Sequence, residues 1–294
     1  MKVAVVLLNY NDSKNTIRFS KKLESFDVIN KIIIVDNNSK VEGEVEKLSS
    51  LESEKIHFIG VKENKGYSYG NNVGLKYLDE IKYNPDYVII SNPDVDTSKE
   101  AILKTIDYLE NHEKCAVATP RMKYISGYAR RAAWKRRKFL IDVANSTRIT
   151  ELLLYFLFKK GEYTKDDYKK ENMIVDCVSG AFFIAKYDIF KSIGFFDEST
   201  FLFFEEDILN AKLYERGYNI AILNDCYFMH YDSQSIGKFV NAFKKQDIMF
   251  DSRIYYQKKY NNINLCQVVL LNFLRYVRKF ELLFEIPIRK IFSK

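Results

Sequence analysis

Short apolar runs with polar ends set the pattern of the first hundred residues. Val3 to Leu8, Lys31-Ile32-Ile33-Ile34-Val35, Ile56-His57-Phe58-Ile59 and Tyr87-Val88-Ile89-Ile90 each read as a buried strand. Asn11-Asp12-Ser13 ends the first run and can cap a helix carrying Ile17, Phe19, Leu23 and Phe26. A polar helix is predicted around Val41 to Leu51. Asn64 to Gly74 reads as a Gly/Asn-rich loop entering a helix near Leu75 to Ile81. This β-α-β-α-β order predicts a parallel sheet with right-handed crossovers. The strands end near Asn9, Asp36, Asn64 and Asp94. In open α/β sheets ligands bind at such ends. Each residue is also an ordinary turn former, but four on one sheet edge favour a shared crevice.

Candidate chemistry sharpens that picture. In Asn92-Pro93-Asp94-Val95-Asp96, Pro93 stops the preceding strand and leaves two carboxylates at its carboxyl end. Carboxylate oxygens suit Mg²⁺ or Mn²⁺, which commonly hold substrate phosphates too. The alternative is a turn with two solvated acids. A second acidic cluster, Glu205-Glu206-Asp207, follows the aromatic run Phe201 to Phe204 and opens a predicted helix, Ile208 to Arg216. Acids are favourable in a first helical turn, so capping is one reading. An apolar wall that raises a carboxylate pKa toward a general base's range is the other.

The seven-residue excess of positive charge is unevenly placed. Ala129 to Lys138 packs six basic residues, Arg130 and Arg131 among them, around Trp134, the only tryptophan. It reads as a solvated loop or as a grip on a diphosphate of donor or acceptor. Nucleic acid is not required by the paired-carboxylate chemistry. Leu152 to Lys160 is apolar and too short to span a bilayer. Leu265 to Lys294 reads as helical, with a polar stripe through Arg275, Arg278, Glu281, Glu285 and Arg289. Its wide apolar face includes Leu270, Leu271, Phe273, Leu274, Val277, Leu282, Leu283, Phe284 and Ile286, and Pro287 is expected to break or kink it. That face fits packing on the domain, a homodimer contact, or an interfacial helix on anionic lipid.

A chain of 294 residues, 47% hydrophobic and 29% charged, is ordinary globular protein. Its four cysteines are scattered with no Cys-x-x-Cys spacing, which argues against zinc and for a reducing compartment. The N-terminus reads as a strand rather than a signal peptide. The expected location is cytoplasmic, with peripheral contact on the inner face of the plasma membrane as an option.

The chain resembles the inverting family 2 glycosyltransferases of GT-A fold, and among them the bacterial rhamnosyltransferase-like members. The resemblance rests on Leu8-Asn9-Tyr10-Asn11, Val35-Asp36-Asn37-Asn38-Ser39, Asn64-Lys65-Gly66 through Gly74, and Asn92 to Asp96. It continues through Ser179 to Phe183, Gly194 to Glu198, Phe203 to Ile208, and His230, covering about residues 1–235. It implies an α/β GT-A fold with a Rossmann-like, mostly parallel sheet. Residues 1–98 would form the nucleotide-sugar half, 99–235 the acceptor and catalytic half, and 236–294 a helical extension. The resemblance implies a nucleotide-diphospho-sugar donor (dTDP-L-rhamnose, or UDP-galactose, UDP-glucose or another UDP-sugar) held by Asn9, Asp36, Asn64, Gly66, Asn71, Asn72 and Asp94. It puts Mn²⁺ or Mg²⁺ on Asp96 and His230, with Asp94 reaching it through water. Asp207 matches the base, and Glu206 is the alternative one residue away. The acceptor class it implies is a glycan or an undecaprenyl-diphosphate-linked glycan. The competing readings are a sugar-nucleotide-binding protein without turnover and a nucleotidyltransferase. The latter's N-terminal Gly-rich signature does not appear in Leu8 to Asn11. A processive synthase would carry Gln-x-x-Arg-Trp and membrane helices, and the chain has neither.

Overall fold

The structure, a computed structural model, describes residues 1–129, 132–231 and 241–292. Strand β1 (Val3–Asn9) is buried along nearly all its length and pairs in parallel with β2 (Lys31–Asp36) and β4 (Tyr87–Ser91). β3 (Ile56–Gly60) adds in parallel to β2. Thus the four apolar runs form one parallel block, with α1 (Ser13–Glu24), α2 (Glu44–Ser49) and α3 (Tyr67–Glu80) as crossovers. Val3 to Leu7, Ile32 to Val35 and Val88 to Ile90 are fully buried, as near-continuous apolar runs in a covered parallel sheet should be.

Helix α3 begins at Tyr67, eight residues before the predicted start. The Gly/Asn-rich stretch is therefore mostly helix. Its glycines serve close packing: a Cβ on Gly70 would lie 2.4 Å from Leu8 Cδ1, and one on Gly74 would lie 2.7 Å from Val6 Cγ1. Helix and strand can touch at those points only without a side chain. Gly66, just before the helix, has φ +104° and a would-be Cβ 2.0 Å from the Phe201 carbonyl oxygen.

The second half of the ten-stranded sheet mixes directions. Beyond β4 lie β11 (Phe182–Lys186), β6 (Cys115–Tyr124), β12 (Asn219–His230) and β5 (Val95–Asp96). β11 is antiparallel to both β4 and β6, and β12 is parallel to β6. β5 is antiparallel to β12, with His230 opposite Val95. After β4 the chain therefore crosses to the far edge of the sheet within a few residues. That crossing carries Asp94 to the end of β12. Helix α4 (Lys99–Asn111), capped by Ser98, follows and packs on β6.

Small elements follow: β7 (Gly127–Tyr128), β8 (Ala133–Trp134), α5 (Phe139–Ala144), α6 (Arg148–Leu153), α7 (Tyr155–Lys160), β9 (Asn172–Val175) and β10 (Cys177–Val178). Helix α8 (Tyr187–Ser192) follows β11, and α9 (Glu205–Tyr214) precedes β12. Two long helices occupy the described part of the C-terminal extension: α10 (Ala242–Asn261) and α11 (Leu265–Phe292). α11 runs through Pro287 rather than ending there. Leu271 and Leu274 pack with Phe250 and Val143, so the extension is joined to the domain through α10 and α5.

Candidate active site

The first strand ends are tied together by side chains. Asp36 is buried, and its Oδ1 accepts from Asn9 Nδ2 (2.8 Å) and Ser39 Oγ (2.5 Å). Oδ2 accepts from Ser39 N at 3.0 Å. A carboxylate has about four acceptor sites, so Oδ2 keeps one to offer. Asn9 is fully buried and is held in turn by Thr16, whose hydroxyl donates to Asn9 Oδ1 at 2.7 Å. Asn9 thereby fixes the orientation of Asp36. Asn64 Oδ1 accepts from Gly66 N (3.0 Å) and Asn37 Nδ2 (3.1 Å), which shapes the turn into α3.

Asn71 and Asn72 differ sharply. Asn72 Nδ2 donates to Phe196 O and Glu198 Oε1, and its Oδ1 accepts from Phe196 N. Its side chain joins α3 to the loop after α8. Asn71 Nδ2 bonds Tyr67 O, while its buried Oδ1 has no hydrogen-bond partner.

The paired acids separate. Asp94 is buried and lies 3.4 Å from His230 Nε2. Asp96 instead meets Lys22 of α1 at 2.5 Å and Tyr231 Oη at 3.3 Å. Arg18, one turn earlier on α1, donates to Val95 O and stacks over Tyr231. The geometry thus joins Asp94, not Asp96, to the imidazole. The physical reason is register: β5 seats Val95 opposite His230, and α1 supplies a cation where Asp96 emerges. Among the described residues, no three His, Cys, Asp or Glu side chains converge to hold a metal unaided. Asp94 and His230 nevertheless fit a divalent ion that keeps waters and takes substrate phosphate as further ligands. His230 Nδ1 is buried without a partner, so the ring's other nitrogen is not committed elsewhere. Imidazole favours Mn²⁺ over Mg²⁺.

The second acidic cluster sits in the first turn of α9. Phe203 and Phe204 enter it in left-handed backbone conformations, φ +73° and +68°, a strained turn of the kind that recurs at functional sites. Glu205 and Asp207 are buried. Burial, with Glu206 alongside, pushes Glu205 up to about 8. Burial likewise lifts Glu206. Burial pushes Asp207 up to about 7 against the pull of Arg137. Glu206 Oε1 accepts from Gly180 N at 3.0 Å, and Tyr67 Oη donates to Gly180 O at 2.7 Å. Gly180 therefore links the acidic cluster to the start of α3. The next residue links it to the other acids, since Asn92 N donates to Ala181 O at 2.8 Å.

Trp134 Nε1 points at both Asp207 oxygens, at 3.3 and 3.4 Å, and Arg137 Nε lies 3.3 Å from Oδ1. Part of the basic cluster is therefore a wall of the pocket around Asp207, not a solvated loop. Arg137 was not separable in the sequence from its basic neighbours. Its guanidinium lies over Phe204, 4.8 Å from the ring centroid. Its carbonyl is held by Gln257 and Asn261 of α10, at 3.0 and 3.1 Å. The extension thereby reaches the pocket. Arg130 and Arg131 lie outside the described residues.

Comparison with known proteins supplies the class. The glycosyl transferase family 2 model matches residues 4–194, more than half of the chain. The chain belongs to glycosyl transferase family 2, and its fold is the GT-A fold. It is 26% identical over 208 residues to the low-salt glycan biosynthesis hexosyltransferase Agl10 of Haloferax volcanii. That match covers 69% of this chain and 59% of the relative, so the chain spans under two thirds of that protein's length. It is 22% identical over 260 residues to the rhamnosyltransferase WbbL of Escherichia coli, covering 82% of this chain and 88% of that one. Among solved structures, GalNAc-T7 with UDP, GalNAc and Mn²⁺ superposes with a TM-score of 0.62 at 13% identity. The superposition covers 89% of this chain and 49% of that one.

Proposed function

We propose that the protein transfers a sugar from a nucleoside-diphosphate donor to a glycan or lipid-linked glycan hydroxyl, with inversion at the anomeric carbon. The observation that carries this reading is the linked pair of acidic centres. Asp207 is a buried carboxylate tuned close to neutrality, and Gly180-Ala181 ties its helix to the turn that bears Asp94. One centre suits a proton acceptor, the other a diphosphate-bound cation.

The chain's residues divide the work as follows. Asp36 Oδ2 offers an acceptor for a pyrimidine N–H, once the turn through Ser39 yields enough to admit the base. Asp94 and His230 would hold the divalent ion, which would supply positive charge to the leaving diphosphate. Asp96, paired with Lys22, orders the strand edge rather than coordinating directly. Asp207 removes the acceptor hydroxyl proton as that oxygen bonds the anomeric carbon. The bond from that carbon to the diphosphate oxygen breaks, and its electron pair leaves with the nucleoside diphosphate. Trp134 Nε1 stands where an acceptor hydroxyl would meet Asp207, so acceptor binding displaces the indole. Arg137 favours the ionised form of the base in its buried pocket.

Rhamnose from dTDP-L-rhamnose is the proposed donor, supported by the likeness to WbbL along most of both chains. Calorimetry with dTDP-L-rhamnose, UDP-galactose and UDP-glucose tests donor and metal together. Tight binding of the dTDP sugar in Mn²⁺ is expected, with at least about a tenfold loss in EDTA or in Asp94→Ala, an effect of the size lost metal–phosphate contacts give. Asp96→Asn should lose less than Asp94→Ala. Tighter binding of a UDP sugar would overturn the rhamnose assignment, and the reverse order of the two Asp variants would overturn the ligand assignment.

A further inference from the structure

The C-terminal helix has two apolar faces, not one. Leu271, Leu274 and Leu282 turn inward and are buried. Val269, Phe273, Tyr276, Phe280 and Leu283 recur every three or four residues on the outside, with Phe284 beside them. Each of these six is more than half exposed, and Tyr276 is 68% exposed. From Val269 to Phe284 the stripe runs about 22 Å at 1.5 Å per residue. A second apolar group stands next to it. Glu281 of α11 accepts from Arg148 N and Ile149 N, at 3.0 and 2.9 Å, and so caps α6. Leu152, Leu153 and Phe156, on α6 and α7, are then 79%, 74% and 71% exposed.

Charge decides what covers this surface. Over Arg148–Lys160, Arg148, Lys159 and Lys160 stand against Glu151, a net +2. Over Leu265–Phe292, Arg275, Arg278, Lys279, Arg289 and Lys290 stand against Glu281 and Glu285, a net +3. By sequence these three helices carry a net +5, against +7 for the whole chain. Ion pairs take up part of that charge: Glu281 and Glu285 sit on Arg278 and Glu151 on Arg148, while Glu162, Asp251 and Asp247 come from outside to Lys159, Arg275 and Lys279 and leave the surface a net +2. A second copy would bring the same positive charge to the contact and be repelled. An anionic lipid surface offers apolar depth and opposite charge together. No described helix is long and apolar enough to cross a membrane, so the contact would lie in the interface.

We infer that α6, α7 and the outer stripe of α11 form one composite surface that docks on anionic lipid membranes. Both parts would insert apolar side chains, and the chain runs from Arg137 through α5 directly into α6. The inference does not depend on the donor or on the chemistry at Asp207.

Flotation of the full chain with vesicles tests it, using phosphatidylcholine alone and phosphatidylcholine mixed with phosphatidylglycerol. Binding is expected with the anionic vesicles only, and weaker at high salt. Phe273→Glu/Phe280→Glu on α11 and, separately, Leu153→Glu/Phe156→Glu on α6 and α7 should each reduce partitioning roughly tenfold or more, as loss of two inserted apolar side chains implies. All four positions are exposed, so far-ultraviolet circular dichroism and donor binding should be unchanged. Absence of the wild-type chain from anionic vesicles at low salt would overturn the inference. So would a response to the α11 pair alone, which would reduce the surface to one helix. A concentration-dependent dimer broken by the same substitutions, without lipid binding, would assign the stripe to a second copy instead.

Discussion

Asp207→Asn is expected to cut sugar transfer by at least ~10²-fold, the usual loss when a general base is removed. The substitution keeps the size of the side chain and an oxygen for Trp134. Donor affinity should hardly change, because the nucleotide and metal residues lie on other elements. Glu206→Gln should be milder, since an amide oxygen can still accept from Gly180 N. The pH profile separates the roles further. A base must be ionised, and Asp207 is pushed up to about 7, so transfer should rise with pH through about 7. The groups facing Asp207 are Arg137, Glu206, Cys177, Asp142 and Tyr256. Removing the guanidinium, as in Arg137→Met, takes away the cation that favours ionisation and should move the acidic limb to higher pH. Arg137→Lys should restore part of the shift. Full transfer by Asp207→Asn with a dead Glu206→Gln would place the base one residue earlier.

The same raised carboxyls bear on stability, and the sign is fixed by linkage. Asp207 and Glu205 bind their protons more tightly folded than unfolded. Their contribution is full below about pH 4 and is lost as pH rises through about 7 to 8.

Arg253→Met should be the most destabilising single change on the C-terminal extension. Arg253 and Asp142 pair at 3.1 Å, with side chains 4% and 0% exposed. Gln257 adds a bond to the other Asp142 oxygen at 2.9 Å. Removing the guanidinium leaves a buried carboxylate with an amide as its remaining named partner, a loss of about 3–5 kcal/mol. Urea denaturation followed by tryptophan fluorescence measures it, because Trp134 reports the nearby base pocket. The paired change Asp142→Leu/Arg253→Met removes both charges and should recover much of the loss. A loss below about 1 kcal/mol for Arg253→Met would show that water reaches the pair. Because Gln257 and Asn261 also hold the Arg137 carbonyl, the single variant should lower transfer as well.

The parallel block was legible because its strands are mostly apolar and polar residues follow at or soon after their ends. What the sequence could not show is how the rest closes around it. β5 is two residues long and carries no periodic signal, yet its register against β12 decides that Asp94, rather than Asp96, meets His230. The bridge from Asn72 to Phe196 and Glu198 is a long-range pairing with no local signature. The start of α3 was hidden because Gly70 and Gly74 lower helix propensity, while contact with β1 demands them. Arg137 was one of six basic residues around a tryptophan. Only the fold selects it, by burying Asp207 beside it. The C-terminal helix showed one broad apolar face in the sequence. Its division into an inner and an outer stripe depends on where α10 and α6 pack.

Donor turnover tests the central claim most directly. The chain is incubated with dTDP-L-rhamnose and Mn²⁺, and free dTDP is measured with and without a lipid-linked glycan acceptor. The account predicts acceptor-stimulated release of dTDP that stops in EDTA, is lost in Asp94→Ala, and falls at least ~10²-fold in Asp207→Asn while that variant still binds donor. Undiminished release in EDTA, or from folded Asp94→Ala and Asp207→Asn proteins, would contradict it.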